Sequence, residues 1–253
     1  QTLECDSMEN YFKLDFNNTS YLVNSLLPKA QEQAYYEDYF DLAKITSQSK
    51  VETRGGRGQT ILFAKDNLNL ILRSYKRGGL FGKLVKDKFF KFESHPHRAF
   101  DEFRLLLKLK ALNLPVPTPI IARQETNLIS VKQQIVIERL VGFNDLSYVL
   151  SNRNLSEEEY LQIGKCIKKF FEAGVLHTDL NIRNILINDK LEVYVIDFDK
   201  CFLLEKLSDN KKQSMLDRLK RSFNKELLKK LDCQSEFNEE YFNKLCNEAL
   251  KSN

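Results

Sequence analysis

A capped helix, a polar loop and a short hairpin bounded by side-chain oxygens occupy residues 156–199, and no other feature constrains the chain as much. Ser156-Glu157-Glu158-Glu159 has the capping-box pattern, with Ser and Glu three apart, so that each side chain satisfies a backbone N–H at the helix start. Behind it Ile163, Ile167, Phe170 and Phe171 recur at helical spacing, and Gly174 ends the helix. The loop His177-Thr178-Asp179-Leu180-Asn181-Ile182-Arg183-Asn184 comes next. Ile185-Leu186-Ile187 and Val193-Tyr194-Val195-Ile196 then read as a hairpin around Asn188-Asp189-Lys190, followed by Asp197-Phe198-Asp199. A tight hairpin sets its two ends side by side. Asn184 and Asp197 therefore come together, with Asp179 on the loop leading in.

That grouping suits phosphoryl transfer. The reaction needs a carboxylate to orient and deprotonate the attacking hydroxyl, and oxygen ligands to hold Mg²⁺ across a triphosphate. Asp179 is the candidate base; Asn184 and Asp197 are the candidate metal ligands. Acids at turns and strand ends are ordinary, so the weight lies in the order and spacing of the whole set. Far upstream, Arg54-Gly55-Gly56-Arg57-Gly58-Gln59-Thr60 is a glycine-rich turn before the apolar run Ile61-Leu62-Phe63. Gly55, Gly56 and Gly58 would let backbone N–H groups approach phosphates, although a lone turn of this kind is often only a hairpin. Asp66-Asn67 joins that run to a second, Leu70-Ile71-Leu72. A helix is predicted over Ala99–Leu112, and three prolines, Pro115, Pro117 and Pro119, prevent its continuation. Ile135-Val136-Ile137 reads as a buried strand ending at Glu138, which joins the candidate ATP-binding set.

The motifs resemble those of the protein-kinase-like superfamily, whose catalytic loop reads H-x-D-L-x-x-x-N and whose metal loop begins D-F-G. The resemblance implies an α+β, two-lobed fold with a small β-rich N-lobe and a mostly helical, shortened C-lobe. It also implies ATP and Mg²⁺ as cofactors and a base that positions the ATP phosphates, paired with a helix glutamate. Glu102 matches that glutamate. Where the superfamily has Lys at a strand end, this chain has Arg73, which is not interchangeable with Lys; Lys76 is the alternative. Thr178 stands where an Arg usually reads a phosphorylated activation loop, and 54 residues follow Asp199 without an A-P-E sequence. A small-molecule acceptor is expected rather than a peptide. Within the superfamily, Leu72–Leu84 with its Arg77-Gly78-Gly79-Leu80 core, Leu114–Ile120, Asp197–Cys201 and Arg218–Phe223 resemble the 3-deoxy-D-manno-octulosonic acid (Kdo) kinases of lipopolysaccharide assembly. That family implies transfer from ATP to the 4-hydroxyl of a Kdo sugar on Kdo–lipid A, at the cytoplasmic face of the bacterial inner membrane. The Arg at position 73 is shared with it.

Charge distribution fits an anionic acceptor. The net charge of +4 hides an asymmetry: residues 1–41 carry eight acids and two bases, residues 73–91 seven bases and one acid. A second basic stretch at 206–230 falls on a predicted amphipathic helix, with Leu216, Leu219, Phe223, Leu227 and Leu231 at core spacing. Lys76, Arg77, Lys83 and Lys86 are candidates for acceptor or membrane binding, and the helix can pack on its lobe or lie among headgroups. Five scattered cysteines without a C-x-x-C pair fit a reducing compartment, and no apolar run reaches membrane-spanning length. The first residues lack the pattern of a signal peptide. Neither a nucleic-acid partner nor an obligate protein partner is expected. The expected division is an acidic extension over 1–50, partly helical from 29 to 44, an N-lobe over 51–140 and a C-lobe over 141–253. Rival readings are a kinase for a lipopolysaccharide heptose or a drug-type small molecule, a pseudokinase scaffold, and a nucleic-acid binder.

Overall fold

In this computed structural model the described residues are 10–48, 52–54, 60–75, 97–127, 131–229 and 237–251. The chain divides into two units, residues 1–107 with 118–139, and residues 108–117 with 140–253. The first is a sheet flanked by helices. In chain order its elements are strands β1 (Tyr11–Phe16) and β2 (Thr19–Asn24), short helices α1 (Gln33–Glu37) and α2 (Leu42–Gln48), strands β3 (Glu52–Arg54), β4 (Thr60–Lys65) and β5 (Leu68–Tyr75), helix α3 (Arg98–Ala111), and strands β6 (Pro119–Thr126) and β7 (Val131–Glu138). All pair antiparallel in the order β1-β2-β6-β7-β5-β4-β3. The division falls inside α3, between Leu107 and Lys108.

Local chemistry explains the turns. β4 and β5 meet at Asp66-Asn67, both left-handed at φ 52° and 61°. A primed two-residue turn needs that conformation, and Asp and Asn tolerate it well. Side-chain alternation assigns the sheet's two faces. Tyr11 and Phe12 are adjacent on β1 and so point oppositely. The Phe12 ring meets Tyr36 of α1 edge-on at 6.5 Å, whereas Tyr11 meets Phe103 of α3 at 5.7 Å. The short helices and α3 thus cover opposite faces. On the first face Phe12, Leu14, Tyr21, Val23, Tyr36, Tyr39, Ile61, Phe63, Leu70 and Leu72 form one apolar cluster.

Two expectations change here. The helix expected over 29–44 is two short helices, because the chain must turn to keep Tyr36, Tyr39 and Phe40 all on the sheet. Residues 11–24 are no appendage: they form a hairpin that extends the sheet through β2–β6 pairing. Its signal was the alternation of Phe12, Leu14 and Phe16 with Lys13 and Asp15.

The second unit comprises β8 (Asn144–Asp145), α4 (Leu146–Asn152), α5 (Glu157–Glu172), β9 (Val175–Leu176), β10 (Ile185–Ile187), β11 (Val193–Val195), β12 (Phe202–Leu203), α6 (Asp209–Lys229) and α7 (Glu239–Leu250). Its strands form a three-stranded sheet, β11-β10-β8, and a β12-β9 pair. The capping box closes in both directions: Ser156 Oγ accepts from Glu159 N at 3.2 Å, and Glu159 Oε2 accepts from Ser156 N at 2.7 Å. Burial pushes the Glu159 carboxyl up, but the two-pronged Arg153 contact and the Ser156 N–H outweigh it and hold it below its ordinary value. The buried face of α5 takes α7 at close range. Gly164 permits this, since a Cβ there would lie 2.6 Å from the Leu245 carbonyl oxygen. Among the described residues, no helix is long and apolar enough to cross a membrane.

Candidate active site

The loop 177–184, between β9 and β10, alternates inward and outward side chains. Leu180 and Ile182 are buried, while Asp179 and Arg183 are exposed. Two amides hold the loop's shape: Asn181 Nδ2 and Asn184 Nδ2 each donate to the Asp179 carbonyl at 2.9 Å. The Asn181 carboxamide oxygen also accepts from Arg183 N at 2.9 Å, closing an Asx turn. The backbone of Asp179 is thereby fixed from both sides, with its carboxylate 60% exposed.

His177 ties this loop to the segment after β11. Its Nδ1 accepts from Asp179 N at 3.3 Å, which leaves Nε2 to donate to the Ile196 carbonyl at 3.0 Å. Burial pushes the imidazole below its ordinary pKa, against the Ile196 bond and the nearby acids, so it stays neutral. Phe198 adds to the clamp, packing edge-on to His177 at 5.0 Å and stacking on Phe170 at 6.0 Å. Ile196 N donates to the Asn184 carbonyl at 2.9 Å, so Asp197 follows directly on the residue paired with Asn184. Asp197 is left-handed at φ 66°. A non-glycine residue holds that conformation only where its surroundings enforce it, commonly at functional sites.

The donor set suits a hard cation. Asn184 Nδ2 is engaged by the Asp179 carbonyl, which fixes the amide orientation and turns its oxygen to the other side. That oxygen and the Asp197 carboxylate are hard oxygen donors of the kind Mg²⁺ prefers.

In the first unit, Arg73 on β5 and Glu102 on α3 meet at 2.9 Å. The Glu102 side chain is 1% exposed, and it also accepts a hydrogen bond from the Tyr75 hydroxyl. A buried carboxylate is tolerable only with such partners. Arg98 lies over the Tyr75 ring at 5.2 Å. Tyr75 was not singled out by the sequence, where it is one aromatic in a basic stretch; only the packing of α3 on β5 reveals its partner. Glu138, at the end of β7, accepts from Thr118 N at 3.1 Å, so its carboxylate caps the start of the neighbouring strand. Gly55, Gly56, Gly58, Lys76, Arg77, Lys83 and Lys86 lie outside the described residues. On α6, Leu216, Leu219 and Phe223 are fully buried. The part of its apolar face formed by Leu216, Leu219 and Phe223 is therefore occupied by packing.

A basic residue of α6 reaches the 177–184 loop. Arg218 of α6 has its Nη1 3.6 Å from Asp179 Oδ1. The sequence placed Arg218 only in a segment of resemblance; its spacing from Met215 and Ser222 on one helix face was the available signal.

The model of the lipopolysaccharide kinase (Kdo/WaaP) family matches residues 43–241. A protein named 3-deoxy-D-manno-octulosonic acid kinase from Vibrio parahaemolyticus is 45% identical over 192 residues, 76% of this chain and 80% of that one. Its namesake from Actinobacillus succinogenes is 37% identical over 218 residues, 83% and 88% of the two chains. Among solved structures, one described as WaaP in complex with acyl carrier protein superposes with a TM-score of 0.54 at 14% identity, covering 88% of each chain, which supports a shared kinase-like α+β fold. The extent of the family match and the identity to the Kdo kinases establish that the chain belongs to the lipopolysaccharide kinase (Kdo/WaaP) family.

Proposed function

We propose that the chain is an ATP-dependent phosphotransferase that phosphorylates the 4-hydroxyl of Kdo on Kdo–lipid A, in assembly of the lipopolysaccharide inner core. One observation carries the chemistry: an exposed carboxylate, Asp179, on a backbone fixed by the Asn181 and Asn184 amides and the His177 ring. Asp179 accepts the proton of the sugar hydroxyl and orients its oxygen for in-line attack. Asn184 and Asp197 would hold Mg²⁺, which when bound neutralises charge on the triphosphate. Arg73, kept in register by buried Glu102 and its Tyr75 contact, positions the α- and β-phosphates, with Lys76 as the alternative. Gly55, Gly56 and Gly58 cover the phosphates, and Glu138 belongs to the nucleotide-binding set.

The acceptor is strongly anionic, since Kdo carries a carboxylate and lipid A carries phosphates. The basic residues Lys76, Arg77, Lys83 and Lys86 and the polar face of α6 complement it. The enzyme works as a peripheral protein at the inner face of the bacterial inner membrane, attracted by charge rather than by an inserted apolar face. Neither nucleic acid nor an obligate protein partner enters this reading.

The test is ATP-dependent mass gain on purified Kdo–lipid A, with heptosylated core as competing acceptor. Phosphate is expected on the Kdo ring. Asp179→Ala should reduce turnover by at least about a thousandfold while Mg-ATP still binds. Asp197→Ala should instead weaken Mg-ATP binding, read by calorimetry. Phosphate on heptose alone, or turnover retained in Asp179→Ala, would overturn the proposal.

A further inference from the structure

Helix α6 is registered on the catalytic loop at two points. Met215 Sδ accepts from His177 N at 3.3 Å, and Ser222 Oγ accepts from Ile182 N at 3.1 Å. The Ser222 hydroxyl in turn donates to the Leu219 carbonyl at 2.7 Å, which fixes its rotamer. Met215, Arg218 and Ser222 are spaced three and four apart, so they share one helix face. The loop contacts bracket Asp179 in sequence, and Arg218 lies between the two helix contacts. Its position beside the base is therefore set by backbone hydrogen bonds on either side, not by the reach of a long side chain.

The Arg218–Asp179 ion pair has no evident structural purpose. Both side chains are about half exposed, at 47% and 60%, and their 3.6 Å separation is too long for a good hydrogen bond. Exposed pairs of this kind contribute little to stability. Among the described residues the Arg218 guanidinium donates no hydrogen bond, so its planar fork of donors is available to a ligand. Any hydroxyl seated on Asp179 brings the adjoining acceptor atoms against that fork.

We infer that Arg218 is the receptor for the acceptor's carboxylate, and so selects a sugar acid over a neutral sugar. This rests on the Kdo reading. In Kdo the carboxylate carbon C1 is three carbon–carbon bonds from C4, at most about 4 Å away, which fits a guanidinium in contact with the base holding O4. Carboxylate and guanidinium pair through two parallel N–H···O bonds, a geometry an ammonium cannot copy. Arg218 takes no proton from the substrate. It fixes which way the ring lies, so that O4 rather than another hydroxyl meets Asp179.

The experiment compares Kdo–lipid A with the same glycolipid whose C1 carboxylate has been reduced to hydroxymethyl, using wild type, Arg218→Gln and Arg218→Lys. Wild type should prefer the carboxylate acceptor by about 10- to 100-fold in kcat/KM, mostly through KM. Arg218→Gln should bring the two acceptors to within about threefold of each other, and Arg218→Lys should restore part of the preference. Equal losses on both acceptors, expressed in kcat, would overturn the inference and move Arg218 to the transferring phosphoryl group. An undiminished preference in Arg218→Gln would overturn it as well. Either result leaves Kdo phosphorylation standing. A wild type that phosphorylates neither acceptor overturns the Kdo reading and this inference together.

Discussion

Both imidazole nitrogens of His177 are engaged, one by Asp179 N and one by the Ile196 carbonyl, and the ring is almost fully buried. Charging it would break the Asp179 bond and place a cation against Phe198. Burial therefore lowers its pKa in the folded chain, while the unfolded chain keeps a value near 6.5. As pH falls through about 6.5 the unfolded state takes up a proton that the folded state refuses, and stability falls. Unfolding midpoints in urea should drop between pH 7.5 and 5.5, with a contribution of at most about 1.4 kcal/mol per pH unit. His177→Gln should flatten that part of the slope. Equal slopes in variant and wild type would show that the ring is not the titrating group. The role of His177 is thus mechanical: it holds the 177–184 loop and the segment after β11 in one piece.

Helix α5 shows how an element serves the site from behind. Its start is fixed by the Ser156–Glu159 box and its end by Gly174, left-handed at φ 79° and bonded through its carbonyl to Leu204 N at 2.9 Å. Phe170 projects from the last turn onto Phe198, so the register of the helix reaches the segment that carries Asp197. On another face, Gly164 allows the close approach of α7, where Leu245 is fully buried. Gly164→Ala would force a methyl against the Leu245 carbonyl. It should destabilise the protein by about 1–3 kcal/mol, read as a lower melting temperature. A variant melting at the wild-type temperature would mean that α7 can slide without loss of packing. The same tightness explains why the apolar residues of α6 turn inward: Tyr160 of α5 stacks on Phe223 at 5.7 Å.

Across the whole chain, the family match and the fold have different limits. The matched region begins at residue 43, yet Phe12, Leu14, Tyr21, Val23, Tyr36, Tyr39 and Phe40 supply much of the first unit's core. Burial of each large apolar side chain contributes about 1.5–3 kcal/mol. Together they amount to on the order of 10 kcal/mol, comparable to the net stability of a typical protein. Removing residues 1–42 would also bare the edge of β6, which pairs with β2. The truncated chain should be insoluble or lack a cooperative thermal transition. A soluble, cooperatively melting product would mean that the hairpin and α1 are dispensable, and would relocate the core.

The sequence by itself determined the features that depend on about ten neighbouring residues. The Asp66-Asn67 turn, the capping box, the hairpin that draws Asn184 towards Asp197, and the outward Asp179 carboxylate beside buried Leu180 all follow from local hydrogen bonding and apolar spacing. A motif resemblance then pointed to the family that the comparisons establish. Contacts between distant segments were beyond it. That Tyr75 and Arg73 both reach Glu102, that Phe12 rather than Tyr11 faces α1, and that Arg218 comes to 3.6 Å from Asp179 depend on which face of each element packs inward. Helical periodicity shows that α6 has an apolar face, but only tertiary packing fixes what that face meets. Once Leu216, Leu219 and Phe223 are buried and Met215 and Ser222 are bonded to the loop, the rotation of the helix is set, and Arg218 has one place to go.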